Sequence, residues 1–119
     1  MTPFGMLVVA HLIGDFLFQT SWMAMYKATK WLPLLSHCLV YTVTVALIDW
    51  FSFGALSISA ILFIFITHVL LDRRTFVQWW LRNIMKTTGK EAGWLGIVVD
   101  QIFHIIVLAL ALLLSSHGY

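Results

Sequence analysis

Apolar residues run through this chain in four long windows separated by short polar stretches. A helix that crosses a bilayer needs about 20 mostly apolar residues. The windows at residues 3–25, 31–51, 54–72 and 93–114 each predict one such helix. The first is the least apolar, since it holds His11, Gly14, Asp15, Gln19 and Thr20. Pro33 suits the first turn of the second. Helices two and three are joined tightly near residues 52–54, while loops at 26–30 and 73–92 lie on the other side. In the longer loop Arg74, Gln78, Arg82 and Lys86 recur every four residues, opposite Phe76, Trp80 and Ile84. That pattern predicts an amphipathic helix over about 73–86, lying in the membrane interface. It can serve as a lid or headgroup contact; the simpler reading is an anchor against anionic lipid. Residues 87–93 read as a turn.

Composition supports this picture. The 119 residues are 61% hydrophobic and 10% charged, with a mean hydropathy of +0.95. A soluble domain is roughly 45–50% apolar and about 25% charged. A chain of this length forms one domain without interior enough for the excess, so the excess is expected to face lipid. The first window lacks a basic start and carries His11 and Asp15, so it reads as a retained helix rather than a cleaved signal. Cys38 alone forms no internal disulfide and reads as a small packing residue.

The placement of charge sets the expected orientation. Lys27, Lys30, Arg73, Arg74, Arg82, Lys86 and Lys90 all fall in the loops on one side. The positive-inside rule puts those loops in the cytoplasm and both termini outside. Asp49, beside Trp50, is expected at the outer interface, and His117 in a solvated tail. The expected fold is all-α: an integral membrane four-helix bundle with an interfacial helix between the third and fourth spans.

Candidate chemistry comes from three spaced pairs: His11/Asp15, His68/Asp72 and Asp100/His104. A spacing of four puts both side chains on one helix face. The order is His then Asp on helices one and three, and reversed on the antiparallel fourth. Each Asp therefore lies nearer the cytoplasm than its His, and His37 falls in the same half. Ionisable groups inside a bilayer normally face the bundle interior and mark function.

Three uses compete. His11, Asp15, His37, His68, Asp72, Asp100 and His104 can fill one or two coordination spheres for Zn²⁺, Mn²⁺ or Fe. A metal with an open position can activate water, with Asp15, Asp72 and Asp100 as the catalytic carboxylates. The same residues can instead relay protons or ions in a small oligomeric transporter or channel. Haem is disfavoured by the clustered carboxylates. Against all three stands a bland alternative, in which buried His–Asp hydrogen bonds only join helices. Gln19, Tyr41 and Gln101 can orient ligands or bond neighbouring helices. Lys27 can hold a phosphate, though an ordinary topology charge is the simpler reading. No phosphate loop, Ser or Cys triad, or nucleic-acid surface is present in the sequence.

The run His11-Leu12-Ile13-Gly14-Asp15-Phe16-Leu17-Phe18-Gln19-Thr20, with Trp22-Met23-Ala24 and Lys27, resembles the opening signature of the DUF3307 family. His37 with Tyr41, His68 with Asp72, and Asp100-Gln101 with His104 resemble it too. The resemblance spans essentially the whole chain. It implies a small bacterial or phage membrane protein and supports the choice of motif residues, but it supplies no activity. Family members often carry Lys just after the third-helix Asp, where this chain has Arg73 and Arg74. The sequence thus points to a metal-dependent hydrolase in a bacterial cytoplasmic membrane, acting on a membrane-embedded or phosphorylated substrate. Its partners are the lipid bilayer and possible further copies in a homo-oligomer, with no nucleic acid. A small transporter is the alternative, and an interaction protein with a structural polar core is a third.

Overall fold

The computed structural model describes residues 2–87 and 89–116. All regular structure among them is helical: α1 (Pro3–Leu12), a π-helical turn (Ile13–Leu17), α2 (Ser21–Tyr26), α3 (Trp31–Phe53), α4 (Ile58–Asp72), α5 (Thr75–Asn83) and α6 (Lys90–Ser116). His117 lies outside the described residues.

Local chemistry sets most of the boundaries. Thr2 Oγ1 accepts from Gly5 N at 2.9 Å and Pro3 opens α1. Thr20 Oγ1 caps α2 through Met23 N, and Ser57 Oγ caps α4 through Ala60 N. α3 ends at Gly54, whose φ of 103° suits a residue without a side chain. The window at 3–25 is therefore not one rod. Helical structure runs to Leu17, breaks, and resumes at Ser21. α4 starts at Ile58 rather than 54, because Ser57 supplies the cap. α6 starts at Lys90 rather than 93, so the expected turn at 87–93 is shorter. The amphipathic segment predicted over 73–86 is helical only at Thr75–Asn83, entered through Arg74 in a left-handed conformation with φ of 67°.

Packing joins α1 to α3, α3 to α4, α4 to α6, and α6 back to α1, which closes a ring. Leu7, Ala10, Val45, Ala60, Ile64, Leu108 and Ala111 fill one end of it. Near the other end Val77 and Leu81 of α5 pack on Leu71 and Val99. Between these apolar layers lie His11, Asp15, His37, His68, Asp72, Asp100 and His104, all buried. Cys38 is fully buried, as expected of a packing residue, and Asp49 is buried too rather than interfacial. Trp31–Phe53 and Lys90–Ser115 are long and apolar enough to cross a membrane; Pro3–Leu17 and Ile58–Asp72 are shorter apolar helices.

Candidate metal centre

The π-helical turn is what brings Asp15 inward. Such a turn holds one residue more than an α-helical turn and so offsets the register of the residues beyond it. Gly14 lets it approach α3: a Cβ there would lie 3.1 Å from Tyr41 Cδ2 and 3.4 Å from Tyr41 Cα. In consequence Asp15 does not pair with His11, whose Nε2 is 4.0 Å from Asp15 Oδ2. Asp15 Oδ1 reaches across to His37 Nε2 at 3.0 Å and stands 3.6 Å from His68 Nε2.

Asp72, the last residue of α4, lies at the middle of the cluster. Its Oδ2 is 3.0 Å from both His37 Nε2 and His68 Nε2, and 3.1 Å from Lys27 Nζ. It nevertheless accepts no well-directed hydrogen bond among the described residues. His37 Nε2 and His68 Nε2 are themselves 3.0 Å apart. An imidazole nitrogen carries one hydrogen at most. His37 Nε2 has three neighbours at 3.0 Å (Asp15 Oδ1, His68 Nε2 and Asp72 Oδ2) and can donate to only one. Proton sharing thus leaves lone pairs facing lone pairs. A cation among them removes that conflict. Ligand atoms about 2.0 Å from a tetrahedral Zn²⁺ stand about 3.3 Å apart, and the separations here run from 3.0 to 3.6 Å. One ligand atom from each of Asp15, His37, His68 and Asp72 falls within 4.8 Å of the others, so the four can hold a metal ion.

A second group shares Asp72. Asp72, Asp100 and His104 also bring one ligand atom each within 4.8 Å of one another. His104 Nδ1 is 2.7 Å from the Asp100 carbonyl, which can only accept. Nδ1 therefore carries a hydrogen, and in the neutral ring Nε2 carries a lone pair. That lone pair faces Asp72 Oδ1 at 3.2 Å. Here too two acceptors meet, and a proton or a metal ion must lie between them.

His11 does something different. Its Nε2 donates to Gln101 Oε1 and its Nδ1 accepts from Tyr41 OH, both at 2.7 Å. Gln101 Nε2 then donates to Asp15 Oδ2 at 3.3 Å and to Asp100 Oδ2 at 3.4 Å. Tyr41, His11 and Gln101 form a chain that fixes one carboxylate from each group. Tyr41 also stacks on His68, with ring centroids 3.9 Å apart. Such outer contacts hold ligands in position.

The sequence-derived candidates therefore separate. His37, His68, His104 and the three aspartates converge as possible ligands. His11 has both ring nitrogens committed elsewhere. Tyr41 and Gln101 reach the cluster. Gln19 has a buried Oε1 without a hydrogen-bond partner among the described residues and joins neither group. Lys27 meets Asp72, a contact hidden in sequence because a basic loop residue reads as topology charge. Gly14 is a site residue that ligand spacing does not mark; a glycine directly before a buried Asp is its signal. Arg73 clamps the α2–α3 loop, donating to the Ala28 carbonyl at 3.2 Å and lying 4.0 Å over the Trp31 ring.

Fold and cluster together define a small all-α protein with a buried His/Asp group positioned to hold a metal ion. Residues 4–118 match the family described as "Protein of unknown function (DUF3307)", and the chain belongs to that family. No curated protein and no solved structure matches it.

Proposed function

We propose that the chain is a membrane-embedded metal-binding protein whose centre activates water to hydrolyse a membrane-embedded or phosphorylated substrate. The observation that carries this reading is the meeting of lone pairs around Asp72, which a divalent cation resolves. A bound cation would supply a polarising charge and water acidified enough to attack at neutral pH. Lys27, at the Asp72 carboxylate, is placed to receive an anionic group such as a phosphate.

The membrane reading draws on which residues face outward. Leu39, Val43 and Leu47 of α3 are exposed, as are Leu62, Ile66 and Leu70 of α4 and Ile102, Ile106 and Leu110 of α6. The ionisable groups are inside. A water-soluble fold arranges these the other way round, whereas a lipid-facing one favours this order. On this reading the helices around α1, α3, α4 and α6 span a bacterial cytoplasmic membrane four times, with the basic loops inside and both termini outside. α5 lies in the interface. An apolar cavity of about 710 Å³ between α4, α5 and α6, lined by Leu70, Leu71, Phe76, Trp79 and Phe103, favours a substrate with an acyl chain.

The test is metal content of the purified chain by mass spectrometry, with phosphate release followed from p-nitrophenyl phosphate and from phosphatidic acid vesicles. Stoichiometric metal and metal-dependent release support the reading. A metal-free chain would overturn it. A second reading, proton-coupled ion transport by an oligomer, is favoured by the Tyr41–His11–Gln101 hydrogen-bond chain. Metal-dependent uptake into proteoliposomes without hydrolysis would select it.

A further inference from the structure

The two ligand groups are unequal, and that inequality assigns them different tasks. We propose that Asp72 bridges two divalent cations, one closed off as a structural ion and the other open to water and substrate. This rests on the metal reading above and deepens it.

The bridge follows from the two oxygens of one carboxylate. Asp72 Oδ2 faces His37 Nε2 and His68 Nε2, while Oδ1 faces His104 Nε2. Each oxygen thus points at a different set of imidazole nitrogens. The sets come from different helices: α3 and α4 on one side, α6 on the other. A single cation at the first group leaves Asp72 Oδ1 still opposed to the His104 lone pair. The second conflict therefore needs its own charge. Two-cation centres of this kind hold both the attacking and the leaving oxygens of a displacement reaction.

Ligand number and exposure divide the labour. The first group has four protein ligands, and their side chains are 0–4% exposed. Four ligands complete a tetrahedral sphere, which is the mark of a structural ion. The second group has three ligands, and Asp100, at 13% side-chain exposure, is the most open residue in either group. Three protein ligands leave a coordination position for water, as in catalytic sites. Lys27, 17% exposed, meets the shared carboxylate from the loop side. The reacting group therefore enters between Lys27 and Asp100 and meets the second ion, and the chemistry there suits an ester carrying an anionic phosphoryl group.

The full chain, purified in detergent and stripped with chelator, is titrated with Mn²⁺ while bound metal is counted and electron paramagnetic resonance recorded. The expected result is two ions per chain, with a magnetically coupled spectrum at two equivalents and an uncoupled one at the first. One ion per chain overturns the bridge and leaves the metal reading standing. No bound ion overturns both. Two ions without coupling place them apart and overturn the bridge. His104→Gln is expected to lower the count from two to one and to keep the first ion; loss of both from a folded variant overturns the division. The count on the unaltered chain stands whether or not that variant folds.

Discussion

Lys27 Nζ lies 3.1 Å from Asp72 Oδ2, so an ammonium from the end of α2 neutralises the carboxylate that terminates α4. Asp72 is 1% exposed and Lys27 17%, so the pair sits where water screens it only in part. A metal ion bound by Asp72 would feel this ammonium as a like charge. Lys27→Met is therefore expected to tighten metal binding by about tenfold, since a unit charge this close is worth a few kcal/mol at most under partial screening. Isothermal titration with Mn²⁺ checks the sign. If Lys27 also receives an anionic substrate, the same variant loses phosphate release while it gains metal.

His11 and the converging histidines should behave differently. His11→Phe removes an orienting contact and is expected to weaken metal binding about 10–100-fold without abolishing it, the usual cost of losing such a group. His37→Ala and His68→Ala remove ligands and should abolish the first ion. Metal content after dialysis against a graded chelator series separates the two outcomes. Equal losses for all three would put His11 among the ligands.

Gly14→Ala places a methyl 3.1 Å from the Tyr41 ring and 3.4 Å from its Cα. The ring can yield a little, but the backbone cannot, so the π-helical turn must move and Asp15 with it. Overpacking of this kind costs about 1–3 kcal/mol. The expected result is a lower thermal midpoint in detergent together with reduced metal occupancy. Unchanged occupancy at a lowered midpoint would mean that the turn does not position Asp15.

Acid should strip the centre. Imidazole binds metal only when deprotonated, so protons compete with the ion for His37, His68 and His104. Occupancy is expected to fall as pH drops below neutrality and to recover on return. Equilibrium dialysis across that range measures it, and a flat profile would point to carboxylates alone as ligands.

Orientation can be read by labelling. In a Cys38→Ala background, Lys30→Cys and Arg82→Cys should react with an impermeant maleimide only from the cytoplasmic side. Ala55→Cys, in the α3–α4 connection, should react only from the opposite side. Labelling of all three from one side would remove the four-span topology.

Much of the centre is legible from spacing. His68/Asp72 and Asp100/His104 do share a helix face, and His37 does join them. The regular helical rule fails at His11/Asp15, because a π-helical turn intervenes and spacing arguments assume unbroken α-helix. The cross-helix contacts of Asp72 are invisible in sequence for a different reason: they depend on how α3, α4 and α6 meet, not on any single segment. Lys27 is visible there only as a charge on the expected side. Arg73 likewise reads by its sign alone, although its guanidinium holds the α2–α3 loop in place. The ring of helices follows from the apolar windows, while their ends are set by Ser57, Thr20 and Gly54, which act through backbone groups that hydropathy does not register.

α4 has one more consequence. Its 15 residues rise about 22 Å, against a hydrocarbon layer of about 30 Å. On the membrane reading, lipid beside α4 must compress, or the helix must find a neighbour whose ends compensate. A locally thinned bilayer draws the aqueous boundary toward Asp72, at the end of that helix. The mismatch would thus shorten the route from bulk solvent to the cluster, and would make the protein's activity sensitive to the acyl length of the lipids around it.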